Sequence, residues 1–345
     1  MRQSPPETGR TIVIALSCGF PPSRDLPTYA RLAESLGYTR VWAYDSPALY
    51  GDVWVALARV AEATERIGVG TAVAVPSLRH PVVTASAIAT IEELAPGRLA
   101  VAFGTGFTAR LAMGKRAMRW ADLSSYVRKV RALLQGDVVE VDGAECQLIY
   151  SPGFGPTPPI EVPLLVAPAG PKGFAVAHEI ADGVVLLGMP PDGEGDPRWA
   201  TCAVLVNGTV LDPGEDETSE RVRAAAGPWF VTSYHAMYEW APDALAGMPG
   251  GPEWRAGIEA ERPDDQRHLV VHEGHVVTLT ERDRALLDAA GAAVLGTGWT
   301  GDRASVRSRL EHAEARGATE VIYTPAGPDV PRELAAFASA AADEG

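Results

Sequence analysis

Two short stretches carry residue types better suited to holding a ligand than to filling a core. Gly104-Thr105-Gly106 follows the apolar run Leu99 to Phe103 without a spacer, so the chain can turn sharply there and bring bare backbone N–H groups close to a ligand. Gly170-Pro171-Lys172-Gly173 stands between a β-rich run and a helix-patterned one. Free N–H groups at the start of that helix, its positive end and the Lys172 ammonium together suit a phosphate. Plainer readings stand beside both: glycines that merely end a strand, and an ordinary turn with a solvated lysine. GTGFTA also fits the loose dinucleotide-binding pattern, but that fingerprint opens the helix of a first βαβ unit. Here three strand–helix units precede it and no helix pattern starts at Thr108.

Other reactive side chains are less well placed. Cys18 falls just past the first apolar run, where a small residue could pack beside a ligand, and no His or Asn is tied to it by a nucleophile's spacing. Ser17 and Ser46 lack the GxSxG surroundings of a hydrolase elbow. His268, His272 and His275 invite a zinc reading. If the segment is a hairpin, however, His268 and His272 lie roughly 13 Å apart at about 3.3 Å per strand residue, too far for one ion. No metal is expected, and His272 and His275 read as a cross-strand pair at a surface turn. Trp229, Tyr234, His235 and Tyr238 have helical spacing that serves a core as readily as a site. Phe107, Trp229 and His235 are the candidate substrate contacts.

The elements that must position these residues repeat. Strand-like runs start near residues 11 (TIVIAL), 40, 67 and 98, a period of about 27 to 31 residues, which is the rhythm of βα units with right-handed crossovers. Between them lie helical patterns: one through Leu26, Ala30 and Ala33, one opened by Asp52, and one with Pro81 in its first turn. Leu164 to Ala167, Gly183 to Leu187, Ala203 to Leu211 and Glu320 to Thr324 complete eight strands. This predicts a (β/α)8 barrel over residues 1–345 as a single domain. Two excursions interrupt it, residues 136–160 after the fourth strand and 227–300 between the seventh and eighth. In the second, Glu217 to Ala226 and Trp229 to Trp240 read as helices, DALAGMPGGPEW as loop and HLVVHEGHVVTL as a hairpin about Glu273-Gly274.

Composition narrows the partners. A chain of 345 residues, 46% of them hydrophobic, can bury a large core. Its net charge of −14, with no basic cluster, argues against nucleic acid and anionic membrane surfaces. Three scattered cysteines without metal-type spacing point to a reducing compartment. The polar, Pro-rich start MRQSPPETGR and the absence of a long apolar run fit a cytoplasmic protein with no membrane partner.

The runs RVWAYDSP, DVWVALARVAEATERIGVGTAVAVPS, HPVVTASAIATIEELAPGRLAVAFGTG and VAPAGPKGFAVAHEIADGVV, in that order and spacing, resemble the luciferase-like flavin or deazaflavin oxidoreductases. The branch similar to methylenetetrahydromethanopterin reductase is the best likeness, strongest from Ile12 to Gly136 and from Pro163 to Gly188. The resemblance implies a barrel with coenzyme F420 or, alternatively, FMN at the C-terminal ends of the strands and the cofactor phosphate near the fifth βα loop. Its lining would be Cys18, Asp45, Ser46, Ala72, Val73, Gly104, Thr105, Gly106, Ala169, Gly170, Lys172 and Gly173, with a non-prolyl cis peptide at Ala72-Val73. It further implies a homodimer acting on a small molecule, with the cofactor carrying the redox chemistry. Sugar-phosphate dehydrogenases of the family hold His and Glu where Ser46 and Phe107 stand here, and neither replacement takes a proton near neutral pH. F420-dependent hydride transfer is therefore expected on some other substrate. An FMN monooxygenase and a non-catalytic partner subunit are the alternatives.

Overall fold

The apolar runs become ten strands, eight of which close on themselves. In the computed structural model, which describes residues 13–190 and 199–342, the strands are β1 (Ala15–Phe20), β2 (Arg40–Ala43), β3 (Gly68–Ala74), β4 (Leu99–Phe103), β5 (Val139–Val141), β6 (Ala144–Cys146), β7 (Leu164–Val166), β8 (Gly183–Leu187), β9 (Thr201–Val206) and β10 (Glu320–Tyr323). All but β5 and β6 form a closed parallel barrel in the order β1-β10-β9-β8-β7-β4-β3-β2. The first strand lies about four residues later than expected: Cys18, Gly19 and Phe20, which read as chain breakers, pair with Val41, Trp42 and Ala43. Glycine fits tightly in that strand: a Cβ on Gly19 would lie 3.0 Å from Thr324 Cγ2 and 3.2 Å from the Tyr44 hydroxyl, so these side chains would have to give by a few tenths of an ångström. Residues 11–12 of the expected strand, and 191–198 of the connection read as at most a turn of helix, lie outside the described residues.

Alternation along each strand sends one set of side chains inward and the other toward the helices. The inward set is Trp42, Ala100, Ala102, Leu165, Val185, Ala203 and Ile322. Trp42 is fully buried there, and its indole lies against Gly70, where a Cβ would approach the ring to 2.7 Å. Its Nε1 donates to Glu320 Oε1 at 2.8 Å and to Ser17 Oγ at 3.2 Å. Small residues on β3, β4 and β9 therefore leave the lumen to one large ring, whose polar edge is satisfied. The outward set, including Cys18, Val41, Val69, Val101 and Val321, packs under the helices.

The helices that cover the barrel are α1 (Leu26–Ser35), α2 (Val53–Ala63), α3 (Pro81–Leu94), α4 (Phe107–Leu111), α5 (Trp120–Gln135) and α6 (Gly170–Ile180), followed after the second excursion by α11 (Arg303–Ala315) and α12 (Val330–Ala341). Asp52 caps α2 by accepting from the N–H groups of Trp54 and Val55, and Gly136 ends α5 in the left-handed region at φ 88°. The two excursions follow the fourth and seventh barrel strands as expected, but the second starts before residue 227, because β9 ends at Val206 rather than Leu211 and α7 already begins at Glu220. The first carries the two-stranded β5–β6 hairpin, and the second is helical: α7 (Glu220–Trp240), α8 (Gly251–Glu261), α9 (His268–Val271) and α10 (Glu281–Ala290).

The second excursion corrects three local expectations. The helix breaks expected at Gly227-Pro228 do not occur, because α7 runs straight through Pro228, with Gly227 tight against Leu287 and Leu279. DALAGMPGGPEW is not loop throughout: 242–247 is a 3-10 turn and α8 starts at Gly251. The hairpin about Glu273-Gly274 is absent. His268–Val271 is a helical turn, and successive turns close from His275 N to His272 O and from Val277 N to Gly274 O. Val270 and Val271 are adjacent in sequence yet both buried, in a cluster with Trp254, Tyr234 and Leu287. A strand would have sent them to opposite faces, so burial overrode β propensity.

Replacing the lumen tryptophan is the direct test of this architecture. Trp42→Ala is expected to lower stability by about 3–5 kcal/mol, the usual cost of emptying a buried aromatic site, measured as a shifted urea midpoint.

Candidate functional site

Because the barrel strands are parallel, their C-terminal ends share one mouth, and most of the sequence candidates lie on it. Asp45 and Ser46 follow β2, Ala72 and Val73 end β3, Gly104 to Gly106 follow β4, and Ala169 to Gly173 follow β7. The Ala72–Val73 peptide is cis, at the bond the resemblance indicated, and the β3–β4 register shifts between Ala72 and Ala74.

The glycines of the β4 loop are committed to this bulge. Gly104 N donates to Ala74 O at 3.1 Å, and a Cβ on Gly104 would meet Val73 Cγ2 at 2.5 Å. Gly106, at φ 79°, would bring a Cβ within 2.4 Å of Val75 Cγ1. Close approach of two chain segments, rather than exposure of the Gly104 N–H, explains these residues. A short helix, α4, does start beyond Gly106, where none was expected.

The β7–α6 junction is more open. The helix begins at Gly170, four residues before the expected Phe174, so Lys172 sits in its first turn. Ala169 supplies no side-chain cap, and the first N–H groups of a helix have no partner within it. Gly170 has φ 62° and nothing within 4 Å of a built Cβ, whereas Gly173 is pressed against the Trp120 indole at 2.7 Å. Ala169, Gly170 and Lys172 are exposed. The result is an uncapped positive helix end with a lysine beside it, open to the mouth.

The acidic and hydroxyl groups at the mouth are mostly occupied. Asp45 is buried and accepts from Val75 N at 3.1 Å and from the Arg79 guanidinium at 3.0 and 3.1 Å, while Arg79 also reaches Asp52 at 2.6 Å. Burial raises the Asp45 carboxyl above its ordinary range even against the pull of Arg79, and Arg79 is raised in turn by its two carboxylates. The pair thus ties the end of β2 to the end of β3 and leaves no free carboxylate there. Ser46 is buried, with its carbonyl accepting from Leu49 and Tyr50. Tyr44, which sequence reading passed over, lies at the end of β2 near Gly19 and Thr324. Burial and the neighbouring Tyr50 push its phenol well up, so it stays a neutral donor. Its signal was parity: it is two residues beyond Trp42, on the same inward face.

Two candidates are corrected. Cys18 lies within β1, not past it, and its thiol is directed into the layer beneath the helices, 3.8 Å from Arg40 O. Odd–even alternation puts Ser17 and Gly19 inward and Cys18 outward, so it does not line the mouth. Burial raises its thiol well above normal. His235 does not stand at the strand ends with the other candidates. It is buried within the helical excursion, its ring stacked on Trp254 at 5.7 Å and its Nδ1 2.9 Å from Nδ1 of His275. His272 is also buried rather than at a surface turn, and it joins the same cluster, whereas His268 lies beside Gly114. Burial and the neighbouring rings hold His235 well below the ordinary imidazole range and His275 down at about 3. Trp229 does reach the mouth, where its indole N–H donates to Thr324 O at 3.0 Å. Phe107 packs against Trp240 at a tilt of 41°, with ring centres 4.5 Å apart.

The mouth as built offers an anion-binding helix end, a backbone bulge and neutral donors, with aromatic rings around it and no free carboxylate or imidazole among the residues placed there. Such a lining suits a group that brings its own reactivity. Several known proteins resemble this chain. An F420-dependent glucose-6-phosphate dehydrogenase of Beutenbergia cavernae is 34% identical over 185 residues, covering 47% of this chain and 52% of that protein. A 5,10-methylenetetrahydromethanopterin reductase of Archaeoglobus fulgidus is 29% identical over 252 residues, covering 64% and 72%. The chain thus spans about half the length of the first of these relatives. The solved coenzyme F420-dependent tetrahydromethanopterin reductase of Methanopyrus kandleri shares the fold, with a TM-score of 0.64 at 18% identity over 94% of this chain and 97% of that one. The profile of the luciferase-like monooxygenase family matches residues 3–196, more than half of the sequence. This chain belongs to that family.

Proposed function

We propose that this chain is an oxidoreductase that uses coenzyme F420 for hydride transfer to or from a small organic substrate. The observation that carries the reading is the uncapped start of α6, open at the barrel mouth with Lys172 in its first turn. Gly170, Lys172 and Gly173 would hold the cofactor phosphate through backbone N–H groups and the ammonium. Ala72 and Val73, at the β3 bulge, would back the ring, with Ser46 and Thr105 beside it. Asp45 acts through Arg79 and Val75 by fixing that bulge. The deazaflavin supplies the carbon that gives or takes the hydride. Phe107, Trp240 and Trp229 would wall the substrate side and exclude water, and Tyr44 would offer a neutral hydroxyl. Free cysteines and the acidic, unclustered charge fit a cytoplasmic protein, read here as one barrel domain over residues 1–345 and a homodimer. Among the described residues no helix is long and apolar enough to cross a membrane.

A second reading, an FMN-dependent monooxygenase, is favoured by the description of the family itself. Fluorescence titration of the purified chain with F420 and with FMN separates the two. The expected result is tighter binding of F420, and FMN binding far tighter than F420 would replace the first reading with the second. Lys172→Glu should weaken F420 binding about tenfold, or about 1.4 kcal/mol, and make the remainder less dependent on salt. Phe107→Ala should lower turnover more than affinity.

Substrate choice gives a separate test. Ser46 and Phe107 supply no acid or base for an alcohol oxidation of the sugar-phosphate type. Glucose 6-phosphate is therefore expected to give no turnover in the ordinary range of about 1–1000 per second, followed as F420 reduction at its visible absorbance.

A further inference from the structure

The buried histidine cluster is explained neither by the fold nor by hydride transfer. His235 comes from the middle of α7, and His272 and His275 come from the turns after α9. One ring nitrogen from each lies within 4.8 Å of the others, and the ring centres are 5.1, 5.3 and 5.5 Å apart. A four-coordinate zinc with bonds of about 2.0–2.1 Å spaces its ligand atoms about 3.4 Å apart. The 2.9 Å between Nδ1 of His235 and Nδ1 of His275 needs to open by only a few tenths of an ångström to match. His272 is the independent sign. It is 1% exposed, yet neither of its ring nitrogens has a hydrogen-bond partner among the described residues. Buried polar groups are nearly always satisfied, and one that is not asks for a missing ligand. The nearest acid is Glu239, one turn along α7 from His235, with Oε1 3.4 Å from His272 Nε2.

We propose that His235, His272 and His275 bind one divalent transition metal of the zinc class, with Glu239 orienting the His272 ring. Three imidazoles and a carboxylate are the donors such an ion takes, and a carboxylate beside a ligating His is the usual means of fixing its ring. An entry path exists: a cleft of about 430 Å³ is bordered by Pro21, Tyr50, His272 and His275. The ion would act as a clasp. It joins α7 to the turn whose His275 carbonyl accepts from the Tyr50 hydroxyl at 2.5 Å and whose His275 Nε2 lies 3.5 Å from Thr108 Oγ1. Tyr50 lies in the connection after β2 and Thr108 in α4 after β4, both at the barrel mouth, so the metal would fix the helical excursion to the mouth. This inference does not depend on which cofactor the mouth holds.

The test uses the full, untagged chain, stripped with a chelator and titrated with Co²⁺ while visible d–d absorption is read, followed by displacement with Zn²⁺. The expected result is a saturable band at one Co²⁺ per chain that Zn²⁺ abolishes. His272→Gln should remove it, His268→Gln should keep it, and Glu239→Gln should weaken affinity about 10–100-fold. No band with the unaltered chain, or a band that survives His272→Gln unchanged, would overturn the proposal and leave a hydrogen bond between His235 and His275 as the whole of the cluster. The titration of the unaltered chain decides this even if a variant fails to fold.

Discussion

A single indole inside the barrel sets the terms for everything above it. Trp42 occupies the lumen because β3, β4 and β9 present glycine and alanine toward it, and its Nε1 finds Glu320 and Ser17 at the level of the strand starts. Arg40 completes the arrangement, its guanidinium 5.1 Å above the indole and 3.5 Å from Glu320. The indole fills the interior at this depth, below the β3 bulge between Ala72 and Ala74. The buried Glu320 is tolerated because both of its neighbours are donors.

The same division of space explains what the sequence disclosed. Residues in regular βα units are legible because alternation and helical spacing report a local geometry: the strands at Leu99, Leu164 and Gly183 and the cap at Asp52 all follow from neighbours within a few positions. The β1 boundary is hidden because Gly19, a breaker by composition, lies inside a strand and packs closely against Thr324, some 300 positions away in the chain. The glycines singled out in the sequence do stand at the C-terminal ends of the strands, for two different reasons. Gly170 faces open space, whereas Gly104 and Gly106 make room for Val73 and Val75.

The helical excursion was the least legible part because its order comes from tertiary burial. Val270, Val271 and Val276 have strand-forming side chains, yet Val270 and Val271 pack with Trp254 in a helical fragment, and the buried Val276 sits in a turn at φ 53°. The convergence of His235 with His272 and His275 spans about 40 residues and could not be read from spacing. His268 and His272 lie one helical turn apart rather than four strand residues apart, and the His268 ring lies beside Gly114. Trp254 anchors this region, its N–H given to Asp283, which also closes the capping box with Thr280 at the start of α10.

Closure of the barrel has a consequence for how the molecule meets other chains. Eight parallel strands joined in a ring leave no strand of the main sheet with unpaired N–H and C=O groups along its side, so that sheet cannot be extended by a neighbour. Among the described residues, the sheet edges that remain belong to the β5–β6 hairpin, three residues on each side, with Glu140 directly opposite Glu145. Facing carboxylates repel each other, and they repel an incoming strand of this acidic protein as well. The hairpin is thereby too short and too charged to template ordered aggregation, and the burden of solubility falls on it far less than on an open sheet of the same size.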